Sequence, residues 1–170
     1  MTPEPITLRP VTPADEPFLL KLYATTRADE MALVPWSEEQ KEAFVTAQFN
    51  AQQHHYKRTY PGASHDVILS NDRRVGQLYV ARMDLETRIV DLLLLPSDRN
   101  RGIGSYLIEK LQAEGARRTK PLRVYVESFN PSIHLFERLG FSRSGEQGVH
   151  TLMEWSPGRD HAAPSEINLK

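Results

Sequence analysis

The chain opens on alternation. Ile6 and Leu8 take every second position in Ile6-Thr-Leu-Arg-Pro10, which predicts a short strand, with Pro10 at its edge or end. Thr12-Pro-Ala-Asp15 reads as a helix start: Thr as N-cap, Pro at the first helical position, an acid at the third. Phe18, Leu19, Leu22 and Tyr23 follow at helical spacing and predict the buried face of a first helix. From Arg27 to Trp36 the period fades and Pro35 interrupts it, so a loop is expected. Ser37-Glu-Glu-Gln40 is a second capping box. Phe44, Ala47 and Ala51 mark one face of a second helix, ending near His54. His54 to Gly62 reads as a polar, aromatic loop. Its adjacent histidines, His54 and His55, would point to different faces of a helix, so they make a poor metal pair and no metal is expected.

The pattern then shortens. Ala63 to Ser70 predicts a strand, Asn71-Asp72 a turn, and Arg74 to Met83 the returning strand. Asp84-Leu-Glu86 turns again, and Thr87 to Leu95 is the next strand of an antiparallel meander. Ile103, Leu107, Ile108 and Leu111 give the face of a helix that runs to about Thr119, with Arg117 and Arg118 at its negative end and Pro121 as its stop. Leu122-Arg-Val-Tyr-Val126 is a strand. Strand, helix and strand in this order make a right-handed crossover and a parallel pair. Asn130-Pro131 starts another helix, with Ile133, Phe136 and Leu139 on one face and Gly140 just past its end. Phe141 to Gly145 and Val149 to Trp155 form a closing hairpin. The expected fold class is α/β (α+β): a mixed, mostly antiparallel central sheet with one parallel pair, flanked by about four helices. After Pro157 periodicity is lost, so a domain over 1–156 and a flexible tail over 157–170 are expected.

Composition narrows the function. With 21 basic and 22 acidic residues the net charge is −1, which argues against nucleic-acid binding through bulk charge. There is no cysteine, so disulfides, Cys-ligated metal and a cysteine acyl-enzyme are excluded. Met1-Thr-Pro-Glu-Pro5 has neither the basic nor the apolar region of a signal peptide. No apolar run approaches the roughly 20 residues of a membrane span. A cytoplasmic protein is expected, with no membrane or nucleic-acid partner.

Chemistry concentrates in Leu92-Leu-Leu-Leu-Pro-Ser-Asp-Arg-Asn-Arg-Gly-Ile-Gly-Ser105. An apolar strand meets a helix through a glycine turn. The first amides of that helix lack intrahelical acceptors, and the helix dipole adds positive character. Gly102 and Gly104 let a ligand approach the backbone, and Arg99 and Arg101 favour an anion, most often a phosphate. No Lys follows Gly104, so this is not a P-loop. Leu107 holds the third glycine position of a dinucleotide fingerprint, and about a hundred residues precede the motif.

Arg-x-x-Gly-x-Gly after an apolar strand resembles the pyrophosphate-binding motif of the GNAT superfamily of acetyl-CoA-dependent N-acetyltransferases. Asn130-Pro-Ser-Ile-His-Leu-Phe-Glu-Arg-Leu-Gly-Phe141 is similar to that family's second signature, an Asn-Pro opening followed by Leu-Tyr-Glu-x-x-Gly-Phe. The resemblance covers about residues 6–155. It implies acetyl-CoA as cosubstrate, held where the two parallel strands splay. The main chain near Leu93 and Leu94 would pair with the pantetheine arm. Amides from Arg99, Asn100, Arg101, Gly102, Ile103 and Gly104 would hold the pyrophosphate, with the Ser105 hydroxyl beside them. Asn130 would reach the pantetheine and also cap its helix, and Phe136 stands where relatives carry a Tyr general acid. The reaction implied is direct attack by a primary amine of a small molecule or peptide on the thioester in a ternary complex, with a homodimer allowed.

Two acids are candidates for catalysis. Asp91 lies inside an apolar strand, a costly place unless it is paired or functional, and a nearby Arg is an equally good explanation. Glu127 ends the next strand. Many relatives carry a Glu about where Arg88 sits, which puts the handling of the acceptor in question. Two other readings compete: a non-catalytic acyl-CoA-binding module or sensor, which Phe136 favours, and a nucleotide-binding domain with a parallel sheet.

Overall fold

The computed structural model describes residues 5–158. A seven-stranded sheet takes the order β1-β2-β3-β4-β5-β7-β6. Its strands are β1 Ile6–Pro10, β2 Ser64–Ser70, β3 Arg73–Arg82, β4 Thr87–Leu94, β5 Leu122–Glu127, β6 Ser142–Gln147 and β7 His150–Trp155. The helices are α1 Glu16–Leu33, α2 Glu38–Thr59, α3 Ile103–Arg118 and α4 Ser132–Arg138. This is the mixed sheet expected, with β4 and β5 as its parallel pair. The backbone divides into two compact units, one of residues up to Tyr79 with Asp91–Arg101, the other of Val80–Val90 with Gly102 onward.

In the first unit, β1 pairs antiparallel with β2 from Ile6–Ser70 to Pro10–Asp66. Thr12 and Asp15 form the expected capping box, and Asp15 does more than cap. It is buried, and accepts from both Arg9 guanidinium nitrogens at 2.8 Å, from Arg74 at 3.1 Å and from Thr12 N–H at 2.8 Å. These partners, Arg9 first, hold its carboxyl far below the usual range.

The expected loop over Arg27–Trp36 is mostly helix, because α1 continues to Leu33. Arg27 keeps the turn in register: its Nε donates to the Tyr23 hydroxyl at 3.1 Å, and its head pairs with Glu30 at 2.8 Å. Val34 turns extended, as the residue before Pro35 must. α2 likewise runs past His54 to Thr59, so His54 and His55 are exposed helical residues and not part of a loop. Its expected face is also rotated. Val45 and Phe49 are buried and pack with Leu19 and Tyr23, whereas Ala47 and Ala51 are exposed and Phe44 lies edge-on to Trp36 at 5.2 Å. α2 has apolar residues on two faces, and only the position of α1 decides which is covered.

In the second unit, β5 pairs antiparallel with β7 from Leu122–Trp155 to Glu127–His150. β6 pairs with β7, with a bulge between Arg143 and Gly145. α3 lies close to these strands at Gly115, where a Cβ would meet Trp155 at 3.1 Å and Leu122 at 3.6 Å. The Gln112 amide donates to Leu139 O at 2.7 Å and ties α3 to the end of α4. Of the expected tail 157–170, Pro157 and Gly158 form a turn, and the rest lies outside the described residues.

Candidate active site

The parallel ladder is short. It pairs Thr87 with Leu122, Arg88 with Arg123 and Ile89 with Val124, and it ends there. Arg88 is engaged beside it, donating to Glu86 at 2.7 Å and lying over the Tyr125 ring at 5.1 Å. Further along β4, the Leu93 carbonyl faces Gly76 of β3, where a Cβ would overlap it. The Leu94 carbonyl accepts from Arg99 Nε at 3.2 Å.

After β4 the chain makes a short 3-10 turn, Pro96–Asp98. Asp98 is only 1% exposed, yet it carries a carboxylate. Arg73 donates to both its oxygens, at 3.0 and 3.3 Å, and Arg101 Nη1 approaches at 3.4 Å. The Arg73 hydrogen bonds are the main reason its carboxyl titrates below the usual range. Asn100 takes φ +61°, a left-handed conformation that Asn tolerates better than most residues.

Gly102 caps α3 at φ +84°, with open space where a Cβ would stand. The helical bonds start with Tyr106 N–H donating to Gly102 O at 3.0 Å, which leaves the amides of Ile103, Gly104 and Ser105 without an intrahelical acceptor. The two glycines differ in purpose. A Cβ on Gly104 would meet Leu135 Cδ2 of α4 at 3.3 Å, so Gly104 also lets α3 and α4 pack closely. Ile103 is buried core and Ser105 is half-buried.

Before α4 the Asn130 side-chain oxygen accepts from Ser132 N–H at 2.9 Å, closing the turn that leads into the helix. Phe136 is buried and lies edge-on to Phe141 with centroids 5.1 Å apart. His134 is exposed, 3.5 Å from Glu137. Glu127 is exposed at the end of β5, opposite His150.

Asp91 differs from Glu127. It is half-buried, and its partner is an amide where the sequence suggested an arginine: Gln77 Nε2 donates to it at 2.9 Å. Burial pushes the Asp91 carboxyl up to about 6, against the Gln77 and Leu92 N–H groups that favour the anion. Gln77 Oε1 is 2.8 Å from His65 Nε2. The His65 ring stacks on Tyr79 at 4.3 Å, and Tyr56 of α2 meets Tyr79 edge-on at 5.2 Å. Among the described residues no cluster of three His, Asp or Glu side chains could hold a metal ion.

Residues 61–143 match the family model of the GNAT acetyltransferase domain. Over that stretch, just under half of its length, the chain is similar to a GNAT acetyltransferase domain. No curated protein matches the sequence. Among solved structures, the PaiA N-acetyltransferase of Thermoplasma acidophilum, in complex with coenzyme A, is 15% identical; the match covers 89% of this chain and 99% of that one, with a TM-score of 0.68. An acetyltransferase of Thermus thermophilus is 19% identical over 92% of this chain and 99% of that one, with a TM-score of 0.65. A GNAT acetyltransferase of Elizabethkingia anophelis with acetyl-CoA bound is 17% identical over 89% and 97%, with a TM-score of 0.54. These likenesses show the fold, and the domain match supports acyl transfer as the activity class. No helix of the described residues is long and apolar enough to cross a membrane.

Three groups of this region carry no local signal in the sequence: Asp98, Gly76 and the His65–Gln77 pair. Each owes its role to a partner on a neighbouring strand or turn.

Proposed function

We propose that this chain transfers the acetyl group of acetyl-CoA to a primary amine of a small molecule or peptide, by direct attack in a ternary complex. The observation that carries this reading is the start of α3 inside the stretch similar to a GNAT domain. There Gly102 has open space where a Cβ would stand, and the three helical amides that follow it have no intrahelical acceptor. Acetyl-CoA fits those groups. Gly102, Ile103, Gly104 and Ser105 would offer N–H groups to the pyrophosphate, with the Arg99, Asn100 and Arg101 segment beside them. The coenzyme complexes of the two relatives support the same cosubstrate.

The main chain at Leu93 and Leu94 is the proposed partner of the pantetheine arm. Leu93 O is turned to Gly76, so the outward groups of this stretch belong to Leu94 and, by strand alternation, Leu92. A strand N–H here would also meet the oxyanion that develops during attack. Asn130 just before α4 and the ring of Phe136 complete the proposed cofactor set. Acetyl-CoA supplies an activated carbonyl and a thiolate leaving group, and with no cysteine in the chain no thiol-linked acyl-enzyme forms.

The amine arrives protonated at neutral pH and must lose that proton before it attacks. Asp91 is the proposed acceptor, since its carboxyl is partly desolvated and titrates near 6. Glu127, the other acid weighed, is exposed, and we give it no more than a place at the rim.

The experiment is release of coenzyme A thiol from acetyl-CoA against a panel of amines, including peptides, polyamines and aminoglycosides. Release with at least one amine, at a rate that follows amine concentration, is expected. A second reading, a non-catalytic acyl-CoA-binding module, is favoured by Phe136, whose buried ring has no hydroxyl to protonate a thiolate. Tight acetyl-CoA binding with no release for any amine would decide for it.

A further inference from the structure

Three neighbouring strands of one unit contribute His65, Gln77 and Asp91 to a single hydrogen-bonded row. Gln77 is the middle member and is buried. Its amide has one donor end and one acceptor end, so its orientation transmits information from one neighbour to the other. The nitrogen lies 2.9 Å from Asp91 and the oxygen 2.8 Å from His65 Nε2. An ionised carboxylate only accepts, so it requires the amide N–H. The amide oxygen then requires a proton on His65 Nε2. Turning the amide over would set two oxygens against each other at Asp91 and two N–H donors against each other at His65.

His65 is itself held. Its ring stacks on Tyr79 at 4.3 Å with planes 20° apart, and Tyr56 braces Tyr79 edge-on. Tyr79 and Gln77 are two residues apart on β3, so they share a face of the sheet. Among the charged and titratable neighbours, Tyr56 of α2 senses Asp91, while Asp66 of β2, Lys57 of α2 and Asp15 act on His65.

We propose that His65 and Gln77 are positioning residues for Asp91: the His65 Nε2–H fixes the Gln77 amide so that its N–H, not its carbonyl, faces the Asp91 carboxylate. The row then has two fully satisfied states. In one, Asp91 is ionised, the Gln77 N–H points to it, and His65 is protonated on Nε2. In the other, Asp91 carries a proton that it donates to Gln77 Oε1, the amide is turned over, and neutral His65 is protonated on Nδ1 with Nε2 accepting. When the proton sits on the Asp91 oxygen that faces Gln77, its uptake is thereby coupled to an amide rotation and to the tautomer of His65. The inference deepens the proposed function, because it rests on Asp91 as the proton acceptor of that reaction.

The test is NMR titration of the Asp91 carboxyl and the His65 ring in the full chain, alongside the pH profile of kcat/KM. In the wild type, His65 should be the Nε2–H tautomer above pH 8; an Nδ1–H tautomer there would overturn the proposal without any variant being made. His65→Phe keeps the stack on Tyr79 and removes the donor. It should raise the Asp91 midpoint by about half a unit or more, and Gln77→Leu by about one unit. An Asp91 midpoint unmoved by His65→Phe in a folded protein would also overturn the relay. If both variants move the Asp91 midpoint but the acid limb of kcat/KM stays in place, the relay stands and the assignment of Asp91 as base falls.

Discussion

Gly76 of β3 and the Leu93 carbonyl of β4 are packed with no room for a side chain between them. The obstacle is backbone, so a methyl group cannot be accommodated by turning a rotamer. Gly76→Ala must push β4 away from β3 at the stretch proposed to bind the pantetheine arm. Overpacking of this kind typically costs about 1–3 kcal/mol. The expected result is a lowered melting temperature together with weaker acetyl-CoA binding, read by thermal unfolding and calorimetry. An unchanged acetyl-CoA affinity in the folded variant would show that this part of β4 is not in the site.

The two glycines of the loop should separate in the same assays. Gly102→Asp puts bulk and negative charge into open space at the proposed phosphate site and strains a φ of +84°. Acetyl-CoA affinity should fall at least tenfold, about 1.4 kcal/mol. Gly104→Ala instead meets Leu135 at 3.3 Å, so its main effect should be on the melting temperature. The reverse pattern would mean that Gly104, not Gly102, faces the ligand.

Asp98 anchors the loop through Arg73 and Arg101. Its folded carboxyl titrates lower than in the unfolded chain, chiefly through Arg73. A depressed value favours the folded state above the unfolded pKa of about 3.9, and that contribution disappears as pH falls through the folded value. Asp98→Asn should therefore be less stable than wild type at pH 7, by about 1–2 kcal/mol given the half-exposed arginines. The difference should shrink towards pH 3. Denaturant titrations at the two pH values measure it, and a gap that stays constant would exclude the ion pairs as its cause.

Why these groups escaped the sequence is a matter of range. The glycine turn, the strand alternation and the Asn-Pro helix start are local, and a local pattern survives in one dimension. The row His65–Gln77–Asp91 is assembled by strand pairing across separations of 12 and 14 residues. The Arg73–Asp98 contact spans 25. Nothing in the polarity of Gln77 or Asp98 distinguishes either from a surface residue. The helix errors have the same origin. The loop expected from Arg27 rests on a fading apolar period and on Pro35, whereas the contacts of Arg27 with Tyr23 and Glu30 leave no such period, and the covered face of α2 depends on where α1 lies.

Phe136 tests how far a family position can be carried over. Its ring is buried and edge-on to Phe141, with no hydrogen-bonding function of its own. Phe136→Tyr adds a hydroxyl to that apolar contact, and an unsatisfied buried hydroxyl costs about 1–3 kcal/mol. The expected outcome is a lower melting temperature and no rise in kcat. A clear rise in kcat would mean that the ring edge reaches the leaving thiolate and that the missing proton donor limits the rate.

The last prediction concerns Asp91 and separates stability from catalysis. Its folded pKa is raised, to about 6, because burial disfavours the anion more than Gln77 and the Leu92 N–H favour it. The unfolded value is about 3.9. The folded chain therefore binds this proton more tightly than the unfolded chain. The associated stability is fully present below about pH 4 and is lost as pH rises through about 6. At pH 8 the wild type folds with a desolvated carboxylate, and Asp91→Asn removes that charge while keeping the shape. The variant should be more stable than wild type at pH 8, with the gap closing towards pH 4. Its activity should move the other way. As the proposed base, Asp91 is competent only when ionised, so kcat/KM of the wild type should rise along an acid limb with its midpoint near 6. Loss of a general base typically lowers the rate by about 10²–10⁴-fold. Asp91→Asn should show that loss and no longer display the limb. A variant that is stabilised at pH 8 but keeps full activity would leave the electrostatics of Asp91 intact and take the base away from it.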